Sequence, residues 1–237
     1  VYGATGWPQK QSMFVATAIA GTNSAAAGYF LGQNFQMPLV DRLFLDPIIA
    51  LSTFGTLNVY ANGNPGYPNQ QAGNNDSSQN NYIQGSGQDN FGYLKFKFLL
   101  PLGHGKDEVI NTYVMDRGML YKGATGGTSW NPLTSGKTFI TAMPFYRTQT
   151  VNASYGNFPV RTNGFDFGLR YENVDFPLNP SDGNLIRLKY AQDWGWFDSS
   201  APYSVVAGEY SHYFNLGVSE RFRQRVLAFD FWTASVP

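Results

Sequence analysis

The sequence predicts an all-β chain, an antiparallel transmembrane β-barrel with about ten strands in view, and three observations carry that reading. Segments of roughly ten residues alternate apolar and polar side chains and are separated by clusters of Gly, Asn, Pro and Ser, the pattern of strands joined by turns. These strands are long, since soluble proteins favour about 5 to 6 residues whereas a tilted membrane-crossing strand needs about 9 to 11. Aromatic residues make up 16% of the chain, and Tyr171, Phe176, Tyr190, Trp194, Trp196, Tyr203, Tyr213, Phe214 and Trp232 stand near expected strand ends, where interfacial girdles lie.

In chain order the strands are expected at 12–20, 25–36, 43–60 with a bend, 91–100, 109–120, 137–150, 163–174, 184–197, 203–215 and 222–234, in one domain over 1–237. In GYFLGQNF, Tyr29, Leu31 and Phe35 oppose Gly28, Gly32 and Asn34. In FGYLKFKFLL, Leu94, Phe96, Phe98 and Leu100 share a face against Tyr93, Lys95 and Lys97. GFDFGLRYE sets Phe165, Phe167, Leu169 and Tyr171 against Asp166, Arg170 and Glu172, and RVLAFDFW sets Leu227, Phe229 and Phe231 against Ala228 and Asp230. Either face of 109–120 and 203–215 could be the apolar one. Between the third and fourth strands, residues 61–90 form a polar, low-complexity loop too long for a compact domain but ordinary for an outer-membrane barrel.

Composition removes several alternatives. The formal net charge is +0, so no bulk attraction to nucleic acid is expected. With no Cys, neither a disulfide framework nor a thiolate metal site can form. The richest apolar stretch, MPLVDRLFLDPIIAL, is cut by Asp41, Arg42, Asp46 and two prolines, which excludes a helical membrane span. The sequence opens at Val1 without an apolar leader core, so any secretory signal has been removed or lies outside it.

The segment ENVDFPLNPSDGNLIRLKY has hairpin chemistry: Pro177 and Pro180 fix φ, Asn179 and Asp182 can bond back to the backbone, and Gly183 permits positive φ. A strand ending in an acidic residue, then Asn-Pro-x-x-Gly, then an alternating strand, resembles the barrel of the Omp85 superfamily, also called the bacterial surface antigen D15 family. The match falls on Asp175, Pro177, Asn179, Pro180 and Gly183, with SVVAGEYSHYF and RQRVLAFDFWTA similar to the next two strands. It covers roughly 162–237. Val174 stands where the family usually has Arg, and neither its periplasmic POTRA repeats nor its Arg-Gly-Phe/Tyr loop is in the sequence. The family's barrel has about sixteen strands, so the resemblance implies a partial chain from a larger barrel.

That resemblance implies residence in the bacterial outer membrane and a role in inserting or translocating proteins there, without cofactor or bond-breaking chemistry. Its implied partners are outer-membrane lipid, client outer-membrane proteins and periplasmic or lipoprotein factors. The alternative is a passive channel or porin whose lumenal charges tune solute passage. Lys95, Lys97, Asp166, Arg170, Glu172 and Asp230 recur in strand interiors, with Arg187 and Lys189 beside them. Charges facing lipid at mid-bilayer would cost about 2–4 kcal/mol each for Arg or Lys, so these are expected to face a lumen and pair there.

No catalytic residue is expected. Ser211 and His212 are adjacent in a strand and point to opposite faces, so they cannot form a nucleophile and base pair. His104 reads as part of a Gly-flanked turn, and GATGGTS at 123–129 lacks the Lys-Ser/Thr of a phosphate loop. Asp76 and Asp89 in the long loop lack a calcium-loop signature, and no metal is expected.

Overall fold

The computed structural model describes residues 2–22, 24–59, 83–127, 129–153 and 156–236. Among these, thirteen strands form: β1 (Tyr2–Thr5), β2 (Met13–Ala20), β3 (Ala26–Gln33), β4 (Phe35–Met37), β5 (Val40–Val59), β6 (Ile83–Leu99), β7 (Val114–Asp116), β8 (Met119–Lys122), β9 (Lys137–Ala153), β10 (Gly156–Val174), β11 (Gly183–Asp193), β12 (Tyr203–Asn215) and β13 (Val226–Ser235). Eleven join one antiparallel sheet in the order β1-β2-β3-β5-β6-β9-β10-β11-β12-β13, with β4 paired to β5. Among the described residues β1 pairs only with β2, and β13 only with β12. No helix of the described residues is long and apolar enough to cross a membrane.

Four expectations are corrected. The stretch 109–120 contributes no strand to the main sheet; β7 and β8 make their own hairpin, because Arg117 and Gly118, both at positive φ, fold the chain back on itself. Part of the 61–90 loop is strand: β6 starts at Ile83 and pairs with β5 from Val59 inward, while 60–82 lie outside the described residues. Strand 25–36 breaks at Asn34, whose φ of 57° interrupts the alternation. Phe35 therefore sits over Gly32, not beside Leu31: a Cβ on Gly32 would meet the Phe35 ring at 2.6 Å. Finally, β11 ends at Asp193, and 194–197 belong to the connection to β12, where Gly195 and Phe197 at positive φ break the extended chain.

Residues directly opposite each other in an antiparallel ladder share a face, so the register carries one face across the sheet. Asp46 faces Lys95, Arg170 faces Arg187, Arg187 faces Glu209, and Glu209 faces Trp232. In the charge-carrying strands of the main sheet, β5, β6 and β9 to β13, the charged side chains project from this side, except Asp41 and Arg161 near its ends. The other side carries Leu45, Ile49, Leu51, Phe96, Phe98, Ile140, Phe165, Phe167, Leu169, Leu188, Phe229 and Phe231.

Exposure is inverted relative to a water-soluble sandwich, which buries its apolar face against a second sheet. Phe167 and Leu188 are 44% and 52% exposed, while Lys97 and Asp166 on the charged face are 8% and 7% exposed. The charged face is concave: side chains of β6 and β9 through β13 line one recess of about 350 Å³. On β10 the apolar face is bounded by Asn163 and Asn173; ten residues at about 3.4 Å span about 34 Å. Past Asn163 the same face turns polar, with Arg161, Thr148, Thr150, Asn90 and Gln88.

Aromatic side chains mark both ends of this band. Trp194 and Trp196 stack with centroids 4.5 Å apart, and Trp194 meets Phe165 edge-on at 6.2 Å. At the opposite end Trp130 stacks on His212 at 5.1 Å. Trp232, in contrast, lies on the charged face and lines the recess.

The hairpin joining β10 to β11 depends on Gly183. Its φ is +101°, and a Cβ there would stand 1.9 Å from the Asn173 carbonyl oxygen. Gly183→Ala is expected to destabilise the fold by about 1–3 kcal/mol. The check is the urea midpoint in detergent micelles followed by tryptophan emission.

Candidate functional site

Two constellations stand out, the ion-paired charged face and the turn closing β10 onto β11. On the face, Lys97 Nζ lies 2.7 Å from Asp46 Oδ2 and donates to Asn34 Oδ1 at 2.6 Å, while Asn34 N donates to Asp46 Oδ1 at 2.7 Å. Lys189 Nζ reaches Asp166 Oδ2 at 2.7 Å, and Arg187 Nη1 donates to both Glu209 oxygens at 2.8 and 2.9 Å. Arg170 pairs with Glu172 on its own strand, and Ser211 Oγ donates to Asp230 Oδ1 at 2.8 Å. Toward the 60–82 end, Arg147 forks onto Asp89, Nε to Oδ1 at 2.9 Å and Nη2 to Oδ2 at 2.6 Å.

The six charges singled out in the sequence, Lys95, Lys97, Asp166, Arg170, Glu172 and Asp230, therefore share one face. Sequence reasoning missed Asp46, Glu209, Arg147 and the carboxylate of Asp193, which takes Asn163 N, Gly195 N and Ser199 Oγ at 2.9, 2.8 and 2.7 Å. The available signal was parity: Asp46 alternates with Leu45 and Pro47, as Lys95 does with Leu94 and Phe96. Asp89, grouped in the sequence with a polar loop, is a strand residue held by Arg147; Asp76 lies outside the described residues.

The turn is organised by Asp175. Its Oδ1 accepts the N–H groups of Phe176, Ser181 and Asp182 at 2.9, 2.8 and 3.2 Å, and its Oδ2 accepts Ser181 Oγ at 2.5 Å. One carboxylate thus closes the loop that holds Pro177, Asn179 and Pro180. The segment after β8 then packs onto this turn. Thr125 N donates to the Asp175 carbonyl at 3.2 Å, and Asn173 Oδ1 accepts Ser135 Oγ at 2.6 Å and Gly127 N at 3.2 Å. Tyr113 lies edge-on to Phe176 at 4.8 Å, and burial raises its pKa above the ordinary phenol value, so the hydroxyl stays protonated beside Thr125. Asp175→Ala removes four acceptor contacts and is expected to lower stability by about 2 kcal/mol, read from the same urea midpoint.

Neither histidine is assembled into a catalytic arrangement. His104 Nδ1 bonds the Thr125 carbonyl in the segment packed on the turn, and His212 lies on the apolar face with Nδ1 2.9 Å from Tyr210 Oη. Among the described residues no cluster of His, Asp and Glu is placed to hold a metal ion. Comparison with protein-family models, curated proteins and solved structures finds no match to this chain.

Proposed function

We propose that this sheet belongs to a β-barrel of the bacterial outer membrane that helps insert or translocate other proteins there, in the manner of the Omp85/D15 family. The observation that carries the membrane half is the inversion of faces. An open apolar surface of Phe, Leu and Ile is costly in water and favourable against lipid, and a charged concave face needs water or partners. The apolar stretch of β10 between Asn163 and Asn173 has about the length a tilted membrane-crossing strand needs, and aromatics flank it at both ends. Clients, periplasmic or lipoprotein factors and outer-membrane lipid are the partners this reading implies.

The protein-handling half rests on the Asp175 turn, where one carboxylate closes the loop that carries the residues resembling the family motif. A second reading, a passive channel for small solutes, is favoured by the charged recess. Liposomes holding the protein separate the two: faster insertion of a urea-unfolded outer-membrane barrel than into empty liposomes supports the first reading. Steady ion conductance with no such acceleration supports the second, and failure to enter liposomes at all sinks both.

A further inference from the structure

We propose that the recess between β6 and β13 is a binding site for a small oxyanion, the carboxylate or phosphate of a dissolved solute. Its wall carries four cations, Lys95, Arg170, Arg187 and Lys189, against two carboxylates, Asp166 and Glu209. Both carboxylates are already engaged, Asp166 by Lys189 and Glu209 by Arg187 Nη1, which donates to both of its oxygens. A cation entering the recess would therefore have to displace a lysine or an arginine.

Lys95 is the unmatched charge. Among the described residues it makes no ion pair and no hydrogen bond, although it projects from the same face as Lys97, two positions along β6, which has both Asp46 and Asn34. Its charged neighbours are Arg170 and Lys97, which repel it, and Asp46 and Asp166, which attract it but are bound by Lys97 and Lys189. Arg170 spends one terminal nitrogen on Glu172, and its Nε is buried with no hydrogen-bond partner. One oxyanion between Lys95 and Arg170 would match the spare charge with a charge-assisted bond and screen the like-charge repulsion.

The remaining surroundings suit a solute of modest size. Trp232 supplies a flat apolar wall opposite Glu209, and Gly168 removes a side chain from the floor between Asp166 and Arg170. The volume of about 350 Å³ holds a carboxylate or phosphate with a short organic body. Because the recess opens on the charged face and not on the apolar one, a dissolved solute is its occupant in preference to a lipid headgroup. This inference rests on the charged face being wet, and on neither insertion nor conductance.

The test is calorimetric titration of the full chain in dodecyl maltoside micelles with inorganic phosphate, for the native protein, Lys95→Met and Lys95→Arg. Saturable binding weakened about tenfold or more by Lys95→Met and retained by Lys95→Arg is the expected result. Each sample is first checked for folding by its mobility in cold against boiled detergent gels. Folded native protein that binds no phosphate, or a folded Lys95→Met that binds as well as the native chain, overturns the site and leaves the membrane reading standing. Finding instead that the position retains an anionic lipid and ignores free phosphate overturns the solute assignment.

Discussion

Arginine in place of Leu169 is expected to cost about 2–4 kcal/mol in a bilayer, whereas glutamate in place of Ala207 is expected to cost little. Leu169 lies midway between Asn163 and Asn173 on the apolar face, flanked by Phe167 and Tyr171, and is 39% exposed. Were that exposure to water, an arginine would be tolerated to within about 0.5 kcal/mol, as at most surface positions. Facing hydrocarbon it must shed its hydration, snorkel or thin the membrane. Ala207 stands on the other side of the sheet opposite Lys189, where a carboxylate meets an existing cation. Urea unfolding of both variants in phosphatidylcholine liposomes gives the comparison. Equal midpoints for Leu169→Arg and the native chain would mean that the exposed face does not meet lipid.

Much of the sheet was legible because its two faces differ so sharply in chemistry. A period-2 pattern such as GFDFGLRYE fixes the strand and says which residues share a side, and the structure brings Asp166, Arg170 and Glu172 together accordingly. Legibility failed where backbone chemistry overrode alternation. Asn34 at positive φ switches faces between β3 and β4, and Arg117–Gly118 turns an apparent long strand into a hairpin. The β5–β6 ladder was underestimated because its outer end, Gln84 to Asn90, is polar on both faces and reads as loop. The pairs were illegible for a different reason: which cation meets which carboxylate depends on register between strands far apart in sequence, as with Asp46 and Lys97 or Asp89 and Arg147. Parity could place those groups on a face. It could not say that Lys95 would be left over.

Removing Asp46 is expected to be the most damaging single change on the charged face, at about 3–5 kcal/mol for Asp46→Ala. The side chains of Lys97 and Asp46 are 10% and 16% exposed, so the ammonium left behind would have the Asn34 amide oxygen and little water. The loss reaches further than the pair, because the second oxygen of Asp46 also holds Asn34 N at the point where the chain breaks between β3 and β4. Asp46→Asn should be milder, since an amide oxygen can still accept from Asn34 N, and the double variant Asp46→Ala with Lys97→Met should recover part of the loss by removing the stranded charge. Sheltered pairs are weakly screened, so the cost of Asp46→Ala should change little with added salt. Urea midpoints in micelles at low and high salt read all of this together. A cost under about 1 kcal/mol that shrinks with salt would be that of an exposed pair, and would make this part of the charged face an open, hydrated surface.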